Sequence, residues 1–203
     1  MRRHADVPYW ICVGDVADDA GRYEPFDVPL YWIKGNNENF DAIASGDLPS
    51  GLHYIPNAVL TVIDAPALRV AGLGGTLAPT WYETPAAALP HPKKGTQKAT
   101  EAADKRRHFV REEVEACTAM RGVDVFLSHE APRPYIAGRG TDAGKTPVNE
   151  VLSAMKPRLH LFGHHHRFTE SDRQGVRSVG LDLVSKSYLL IDAGTLEYHL
   201  EEL

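Results

Sequence analysis

Three consecutive histidines follow a short apolar run in the C-terminal part of the 203-residue chain. The run at 158–162 reads Arg-Leu-His-Leu-Phe and leads through Gly163 into His164, His165 and His166. Side chains alternate along an extended chain, so His164 and His166 could face one way and His165 another. Imidazole nitrogens are ligands of transition metals. The triplet therefore predicts a metal site, although a solvated histidine tract has the same appearance.

Polar residues that could bind a metal also follow three earlier apolar runs. They are Gly14-Asp15, Gly35-Asn36-Asn37-Glu38 and Ser128-His129-Glu130. Core packing does not explain these segments, because burying a polar group without a partner is costly. The carboxyl ends of strands in one sheet meet at one edge, where ligands bind. We therefore predict one shared site at the ends of several strands.

The order and spacing of these segments resemble the calcineurin-like metallophosphoesterase family. That family carries D-x-H, G-D-x-x-D, G-N-H-[DE], a lone histidine and G-H-x-H, in this order. Four of these five blocks are present, as Gly14-Asp15-Val16-Ala17-Asp18, Gly35-Asn36-Asn37-Glu38, His129 and Gly163-His164-His165-His166. The resemblance spans nearly the whole chain, and the Gly35–Glu38 block is also similar to that of RNA lariat debranching enzymes. The first block is absent, and Asn37 stands where the family has histidine.

The resemblance implies a set of metal ligands. Asp15 would bridge two metals, Asn36, His129 and His164 would complete the shell of one, and His166 would ligate the other. A mixture of carboxylate, amide and imidazole suits one or two divalent transition metals, such as Mn²⁺, Fe²⁺ or Zn²⁺. Such metals activate water as hydroxide for attack on a phosphoester. The implied partner is therefore a phosphoester substrate.

Asn37 is the predicted catalytic residue. The family's histidine at this position protonates the leaving group or stabilises phosphoryl oxygens, whereas an asparagine amide can only donate a hydrogen bond. Asp18 and Glu38 are either carboxylates that orient the ligands or solvated loop residues. The remaining histidines are expected to be structural or exposed; they are His4, His53, His91, His108, His160 and His199.

Apolar runs predict the elements that position these residues. The expected strands are Val7–Val13, Val28–Ile33, Val123–Leu127 and 158–162. The expected helices are Gln97–Met120 and Val148–Met155, and Pro147 suits the first turn of the second helix. The runs His53–Ile55, Val59–Ile63 and Leu68–Leu73 predict antiparallel hairpins that begin a second sheet. Strands at Val179–Val184, Ser187–Asp192 and Leu196–Leu200 would complete that sheet. Lys105–Arg107 would lie on the solvated side of the longer helix or face a phosphate-rich substrate.

The resemblance implies an α/β (α+β) fold, a four-layer αββα sandwich of two mixed sheets flanked by helices. We expect residues 1–203 to form one domain. Only six residues precede the run at Val7–Val13. The family's first strand and helix therefore have no counterpart, and the chain is expected to be truncated at its start.

The composition and the remaining motifs limit the binding partners and the cellular location that can be expected. The net charge of −5 gives no electrostatic indication of nucleic-acid binding, although the family resemblance leaves nucleic acid open as a partner. No apolar run approaches the length of a membrane span, so a cytoplasmic location is expected. The two cysteines, Cys12 and Cys117, are expected to be buried thiols. Segment 138–146 resembles a nucleotide-binding loop, but it lacks the glycine that motif requires, because Arg139 takes its place.

Three functions remain open. The first is a metal-dependent phosphatase or phosphodiesterase. The second is a binding module of the same fold that holds a metal or phosphate without turnover. The third is an amidohydrolase barrel, but that class carries a histidine pair on its first strand and an aspartate late, which is the reverse of the order seen here.

Overall fold

The computed structural model of the chain describes residues 4, 6–64, 66–92, 104–138 and 140–203. Its strands are β1 (Trp10–Cys12), β2 (Leu30–Trp32), β3 (Leu52–Tyr54), β4 (Leu60–Asp64), β5 (Ala67–Leu73), β6 (Thr76–Leu77), β7 (His108–Phe109), β8 (Val125–Ser128), β9 (Ile136–Ala137), β10 (Thr141–Asp142), β11 (Leu159–Phe162), β12 (Thr169–Arg173), β13 (Val176–Gly180), β14 (Ser187–Ile191) and β15 (Tyr198–Glu202). Its α-helices are α1 (Phe40–Ser45), α2 (Arg111–Ala119) and α3 (Thr146–Met155), and short 3-10 turns lie at Ala86–Ala88 and Lys105–Arg107.

The first sheet consists of β1, β2 and β3, which run parallel in that order. Its register pairs Cys12 with Trp32 and Trp32 with Tyr54. Because β1 and β2 end level with each other, Asp15 and Asn36 follow them at the same edge. Both strands are shorter than the apolar runs that predicted them.

The second sheet has the strand order β12-β13-β11-β8-β5-β4. Its inner strands are parallel, and the edge strands β4 and β12 are antiparallel to their neighbours. β8 and β11 are buried along their whole length, as expected of parallel strands covered on both faces. The register pairs Ser128 with Phe162, so His129 and His164 follow at one edge.

Helices cover the outer faces of the two stacked sheets. Val13 and Ile33 from the first sheet meet Leu127 and Leu161 from the second in the buried layer between them. On the other face of the second sheet, Phe126 lies in a cluster with buried residues of α2 and α3. α1 packs against the outer face of the first sheet. This order of layers confirms the predicted αββα sandwich.

Helix α3 forms where the sequence pattern predicted it. Val148, Val151, Leu152 and Met155 recur at helical spacing and are buried against α2 and the second sheet. Pro147 lies in the first turn, where its missing N–H removes no helical hydrogen bond.

Helix α2 is shorter than predicted. The sequence indicated a helix over Gln97–Met120, but α2 covers only Arg111–Ala119. Residues 97–103 of that prediction lie outside the described residues. The prediction is wrong over residues 104–110, which form a 3-10 turn and β7.

Side chains explain why the segment before α2 is not helical. The Asp104 carboxylate accepts a hydrogen bond from the Arg106 backbone N–H at 3.0 Å. Lys34 Nζ donates to the carbonyls of Arg106 and His108 at 2.8 and 3.1 Å. These bonds occupy backbone groups that a helix would pair within itself.

The three runs between residues 52 and 75 divide between the sheets. β3, predicted to start the second sheet, instead extends the first. The chain leaves β2 through α1 and returns as its parallel neighbour, which is the usual βαβ connection. β4 and β5 form an antiparallel hairpin, as predicted, in the second sheet.

The C-terminal strands also differ from expectation. The predicted strand Val179–Val184 is shifted, because β13 ends at Gly180. β12 was not predicted, since its sequence Thr-Glu-Ser-Asp-Arg is polar and lies on a sheet edge. β14 and β15 were predicted to complete the second sheet, and this placement is wrong. Among the described residues they pair as a separate hairpin.

The β14–β15 hairpin is held beside β1 by side-chain packing. The rings of Trp10 and Tyr188 meet edge to face, with centroids 5.7 Å apart. Leu189 and Ile191 pack against the cluster between the sheets. The hairpin therefore continues the layer of the first sheet.

Two further expectations concern the cysteines and the membrane. Cys12 and Cys117 are free thiols, and Cys117 is buried. No helix in the described part of the chain has the length and apolar character needed to cross a bilayer.

Candidate metal centre

Loops after β1, β2, β8 and β11 meet at one edge of the stacked sheets. They carry Asp15, Asn36, His129 and His164, respectively. One carboxylate oxygen of Asp15 and one ring nitrogen each of His129 and His164 lie within 4.8 Å of one another. The structure thus brings together three of the five predicted ligands as one cluster, and a fourth, Asn36, lies beside it.

The contacts around His129 define the cluster. Its Nε2 lies 3.5 Å from Asp15 Oδ2 and 3.1 Å from Asn36 Oδ1. The ring centroids of His129 and His164 are 4.8 Å apart. The side chains of both sheets therefore face a common space.

Hydrogen bonding fixes the protonation of His129. Its Nδ1 lies 2.8 Å from the carbonyl oxygen of Val13, which can only accept, so Nδ1 carries the proton. Burial lowers the pKa of His129, so Nε2 is left with a lone pair. That lone pair faces a carboxylate oxygen of Asp15. Electron-pair donors facing one another at this distance repel each other unless a cation lies between them, so the donor set fits a metal ion.

His164 is also held in its neutral form. Burial lowers its pKa to about 4, and the neighbouring His129 and His165 rings, which disfavour a second positive charge, add to the shift. Asp15 and His164 both have left-handed backbones, with φ of 58° and 67°. Such conformations cost about 1–3 kcal/mol each in residues with a Cβ and cluster at functional sites.

Two glycines allow the loops to approach this closely. A Cβ on Gly35 would lie 2.0 Å from Asp15 Oδ1, and one on Gly14 would lie 2.6 Å from His129 Nδ1. Both distances are below any real contact. The glycines of the Gly14-Asp15 and Gly35-Asn36 segments therefore leave room for the ligand side chains.

Glu38 joins the two loops of the first sheet. It is 5% exposed, and its carboxylate accepts hydrogen bonds from the backbone N–H groups of Val16, Ala17 and Gly35 and from the Tyr23 hydroxyl. Burial raises its pKa to about 7, and the hydrogen bonds oppose that shift. Glu38 thus orients the site, but through the backbone and not through a ligand side chain.

Asn37 lies at the edge of the cluster. Its side chain is half-buried, and its backbone N–H donates to Asp15 Oδ1 at 2.8 Å. This bond helps to fix the carboxylate whose other oxygen faces His129.

Other predicted residues lie apart from the three-residue cluster. His166 is exposed and is not part of it. His165 turns the other way and stacks on Tyr135, with ring centroids 4.4 Å apart. Asp18 forms a turn through hydrogen bonds and an ion pair with Arg22. It is therefore a loop carboxylate with a local role.

No motif in the sequence predicts a role for Lys145. Its Nζ lies 3.6 Å from Oε2 of Glu130, a carboxylate that is 3% exposed and follows His129 directly. The sequence signal was the Gly144-Lys145-Thr146 segment at the start of α3. It resembles part of a nucleotide-binding loop without matching the motif.

A buried polar network supports the ends of β8 and β11. His160 is fully buried, with Nε2 2.8 Å from Ser128 Oγ and Nδ1 3.1 Å from Ser178 Oγ. Burial lowers its pKa to about 3. The Ser128 hydroxyl also donates to the carbonyl of Glu130 at 2.6 Å. The network therefore fixes the backbone on both sides of His129, and His160 is structural, as predicted.

Comparison with known proteins finds structures of similar fold but assigns no function to the chain. No protein-family model and no curated protein sequence matches the chain. The crystal structure of TT1561 of Thermus thermophilus is similar, with a TM-score of 0.54 and 17% identity, over 86% of this chain and 72% of that one. A second crystal structure has a TM-score of 0.66 at 11% identity and covers 98% of this chain and 90% of its own. At these identities the likeness concerns the fold alone.

Proposed function

We propose that this chain is a metal-dependent phosphoester hydrolase of the calcineurin-like metallophosphoesterase type. The observation that carries the proposal is the convergence of Asp15, His129 and His164 at the edge of two stacked sheets. The order of the four sequence blocks along the chain supports the same family.

The residues present fit a divalent transition metal. Asp15, His129 and His164 would hold it, and Asn36 could offer its amide oxygen. Carboxylate and neutral imidazole together suit Mn²⁺, Fe²⁺ or Zn²⁺. When bound, the metal would lower the pKa of a coordinated water and neutralise charge on the phosphoryl oxygens.

The protein's own groups would orient the reaction. Val13 holds the His129 ring through its carbonyl, and Glu38 holds the loops that present Asp15 and Asn36. The Asn37 amide would donate a hydrogen bond to a phosphoryl oxygen but has no proton to release to a leaving group. Esters with acidic leaving groups should therefore react much faster than alkyl esters, since a positioned general acid is worth about 10²–10⁴-fold.

The test combines metal content with turnover. Elemental analysis should find a transition metal in the wild type, and the protein with added Mn²⁺ should hydrolyse bis(p-nitrophenyl) phosphate. His164→Ala should lose both properties. His199→Ala, at an exposed position on β15, is the matched control and should lose neither. Metal content that is equal in wild type and His164→Ala would contradict the assignment.

A binding module without turnover is the second candidate. The observation in its favour is that, within the described residues, the carboxylate and imidazole donors form a single three-residue cluster from which His166 is separate. The same assay distinguishes the two functions. Metal that depends on His164, without hydrolysis of either an aryl or an alkyl ester, would support the binding module.

A further inference from the structure

Lys34 is a buried lysine two residues before the candidate ligand Asn36. Its ammonium group donates hydrogen bonds to the carbonyl oxygens of Arg106 and His108 at 2.8 and 3.1 Å, and it forms no ion pair in the part of the chain that the structure describes. Burial of an ammonium group is unfavourable, and a methionine would fill the same space without that cost. The charge therefore indicates a role other than packing.

The backbone of Lys34 contacts the turn that follows β5. Its carbonyl oxygen accepts a hydrogen bond from the Gly75 N–H at 2.7 Å. At the end of β5, the Leu73 carbonyl oxygen accepts a hydrogen bond from the His129 N–H at 3.3 Å. This one turn therefore contacts both the loop that carries Asn36 and the loop that carries His129.

The ammonium group binds the same unit from a second direction. Gly75 leads directly into β6, which pairs in parallel with β7. The two carbonyls that Lys34 binds belong to His108, the first residue of β7, and to Arg106 just before it. Backbone and side chain of Lys34 thus both bind the β6–β7 pair and the turn that leads into it.

The residues that follow Lys34 make two contacts at the metal centre. Asn36 Oδ1 lies 3.1 Å from His129 Nε2, and the Asn37 N–H donates to Asp15 Oδ1 at 2.8 Å. Both distances depend on where the loop after β2 lies relative to the second sheet. The hydrogen bonds of Lys34 are links of this kind, because the β6–β7 pair is attached to the loop after β8 through the end of β5.

We propose that Lys34 is a positioning residue of the metal centre. Its ammonium group holds the loop after β2 so that Asn36 offers its amide oxygen to the metal beside the three-residue cluster. This inference rests on the proposed function, because the metal is the one that the cluster would bind. The experiment therefore has one part without metal and one part with it.

The first part measures amide hydrogen exchange in the metal-free protein. The Asn37 N–H reports the position of the loop, because it is bonded to Asp15. Lys34→Met keeps the apolar stem and removes the donors, so exchange at Asn37 should become about tenfold faster or more. The Leu161 N–H, in the buried strand β11, should keep its rate. Lys34→Arg retains donors for both carbonyls and should restore most of the protection.

The second part is a double-mutant cycle for Mn²⁺ affinity, measured by titration calorimetry. Lys34→Met should lower the affinity about tenfold relative to the wild type. If Lys34 acts through Asn36, the same substitution should have little effect in the Asn36→Ala background. A role in overall stability alone would lower the affinity by the same factor in both backgrounds.

Lys156→Met is the matched control. Lys156 is an exposed lysine that also donates a hydrogen bond to a backbone carbonyl, that of Gln174. Its loss changes the net charge equally. Neither the exchange rate at Asn37 nor the Mn²⁺ affinity should change in this variant.

Each outcome decides a different proposal. Unchanged exchange at Asn37 in Lys34→Met, or equal acceleration at Leu161, would overturn the positioning role. An equal loss of Mn²⁺ affinity in both backgrounds would overturn the link to Asn36. Faster exchange at Asn37 alone, in a protein that binds no Mn²⁺, would support the hold of Lys34 on the loop and contradict the proposed metal centre. Both expected results without hydrolysis of bis(p-nitrophenyl) phosphate would support the inference and contradict only the hydrolase activity.

Discussion

His129 and His160 are both buried, but we assign them different roles, His129 as a candidate metal ligand and His160 as a structural residue. They are 1% and 0% exposed, and burial lowers the pKa of both, so both rings are neutral. At His160 each ring nitrogen meets a serine hydroxyl, which can donate or accept. At His129 one nitrogen meets a carbonyl, and the other faces Asp15 and Asn36 oxygens.

The difference lies in the partners and not in the degree of burial. Both nitrogens of the His160 ring have hydroxyl partners and need no ligand. The lone pair of the His129 ring faces a carboxylate, which is favourable only when a cation lies between them. Hydrogen-bond complementarity therefore separates a structural histidine from a candidate metal ligand within one sheet, and the following variants test that separation.

The largest expected effect is the loss of activity in His129→Ala. Removing a metal ligand should lower kcat/KM for bis(p-nitrophenyl) phosphate by about a thousandfold or more, because the metal supplies several kcal/mol of transition-state stabilisation. Elemental analysis should show metal loss in parallel. His160→Gln, which keeps hydrogen-bonding groups near both serines, should retain its metal. Metal loss in both variants would remove the proposed distinction.

His160→Ala should instead destabilise the fold. The substitution leaves a cavity and unpaired hydroxyls on Ser128 and Ser178, which should lower the free energy of unfolding by about 2–4 kcal/mol. Urea unfolding of the metal-free proteins measures this change. In the same assay His129→Ala should be less destabilising, since it removes a repulsive contact. A larger loss for His129→Ala would indicate that its main role is structural.

The pKa of His160 predicts a pH dependence of stability. The unfolded ring binds a proton near pH 6.5, whereas the folded ring does so only at about pH 3. The unfolded state therefore binds more protons between these values, and stability falls as the pH is lowered. The ring should contribute a loss of about 2 kcal/mol between pH 6.5 and 5, and His160→Gln should lack that contribution. Identical pH profiles of unfolding for the two proteins would show that the fold does not lower the pKa of His160.

The smallest effect is expected from Gly35→Ala. Its Cβ would overlap Asp15 Oδ1, so the carboxylate must move, and Mn²⁺ affinity should fall by about tenfold or more. Gly194→Ala is the control, because the nearest atom to its Cβ would be 3.4 Å away. Titration calorimetry with Mn²⁺ on both variants measures the difference. Unchanged affinity in Gly35→Ala would mean that Asp15 is not a ligand.

Local patterns determined the parts of the fold that depend on neighbouring residues in sequence. The apolar runs of β8 and β11 and the helical spacing of α3 follow from side-chain periodicity alone. The order of the polar segments after β1, β2, β8 and β11 predicted one shared site, because strands of a sheet end at a common edge.

Tertiary contacts determined which histidines are candidate ligands, how long α2 is and where the C-terminal hairpin lies. The histidine triplet alone does not distinguish His164 from His166, since left-handed backbone conformations at both residues replace the alternation of a strand. The length of α2 depends on Lys34, which is 72 residues from Arg106 in sequence. The hairpin β14–β15 lies beside β1 because Tyr188 packs on Trp10. Such contacts join distant segments, so no local pattern in the sequence encodes them, and only the folded chain brings their partners together.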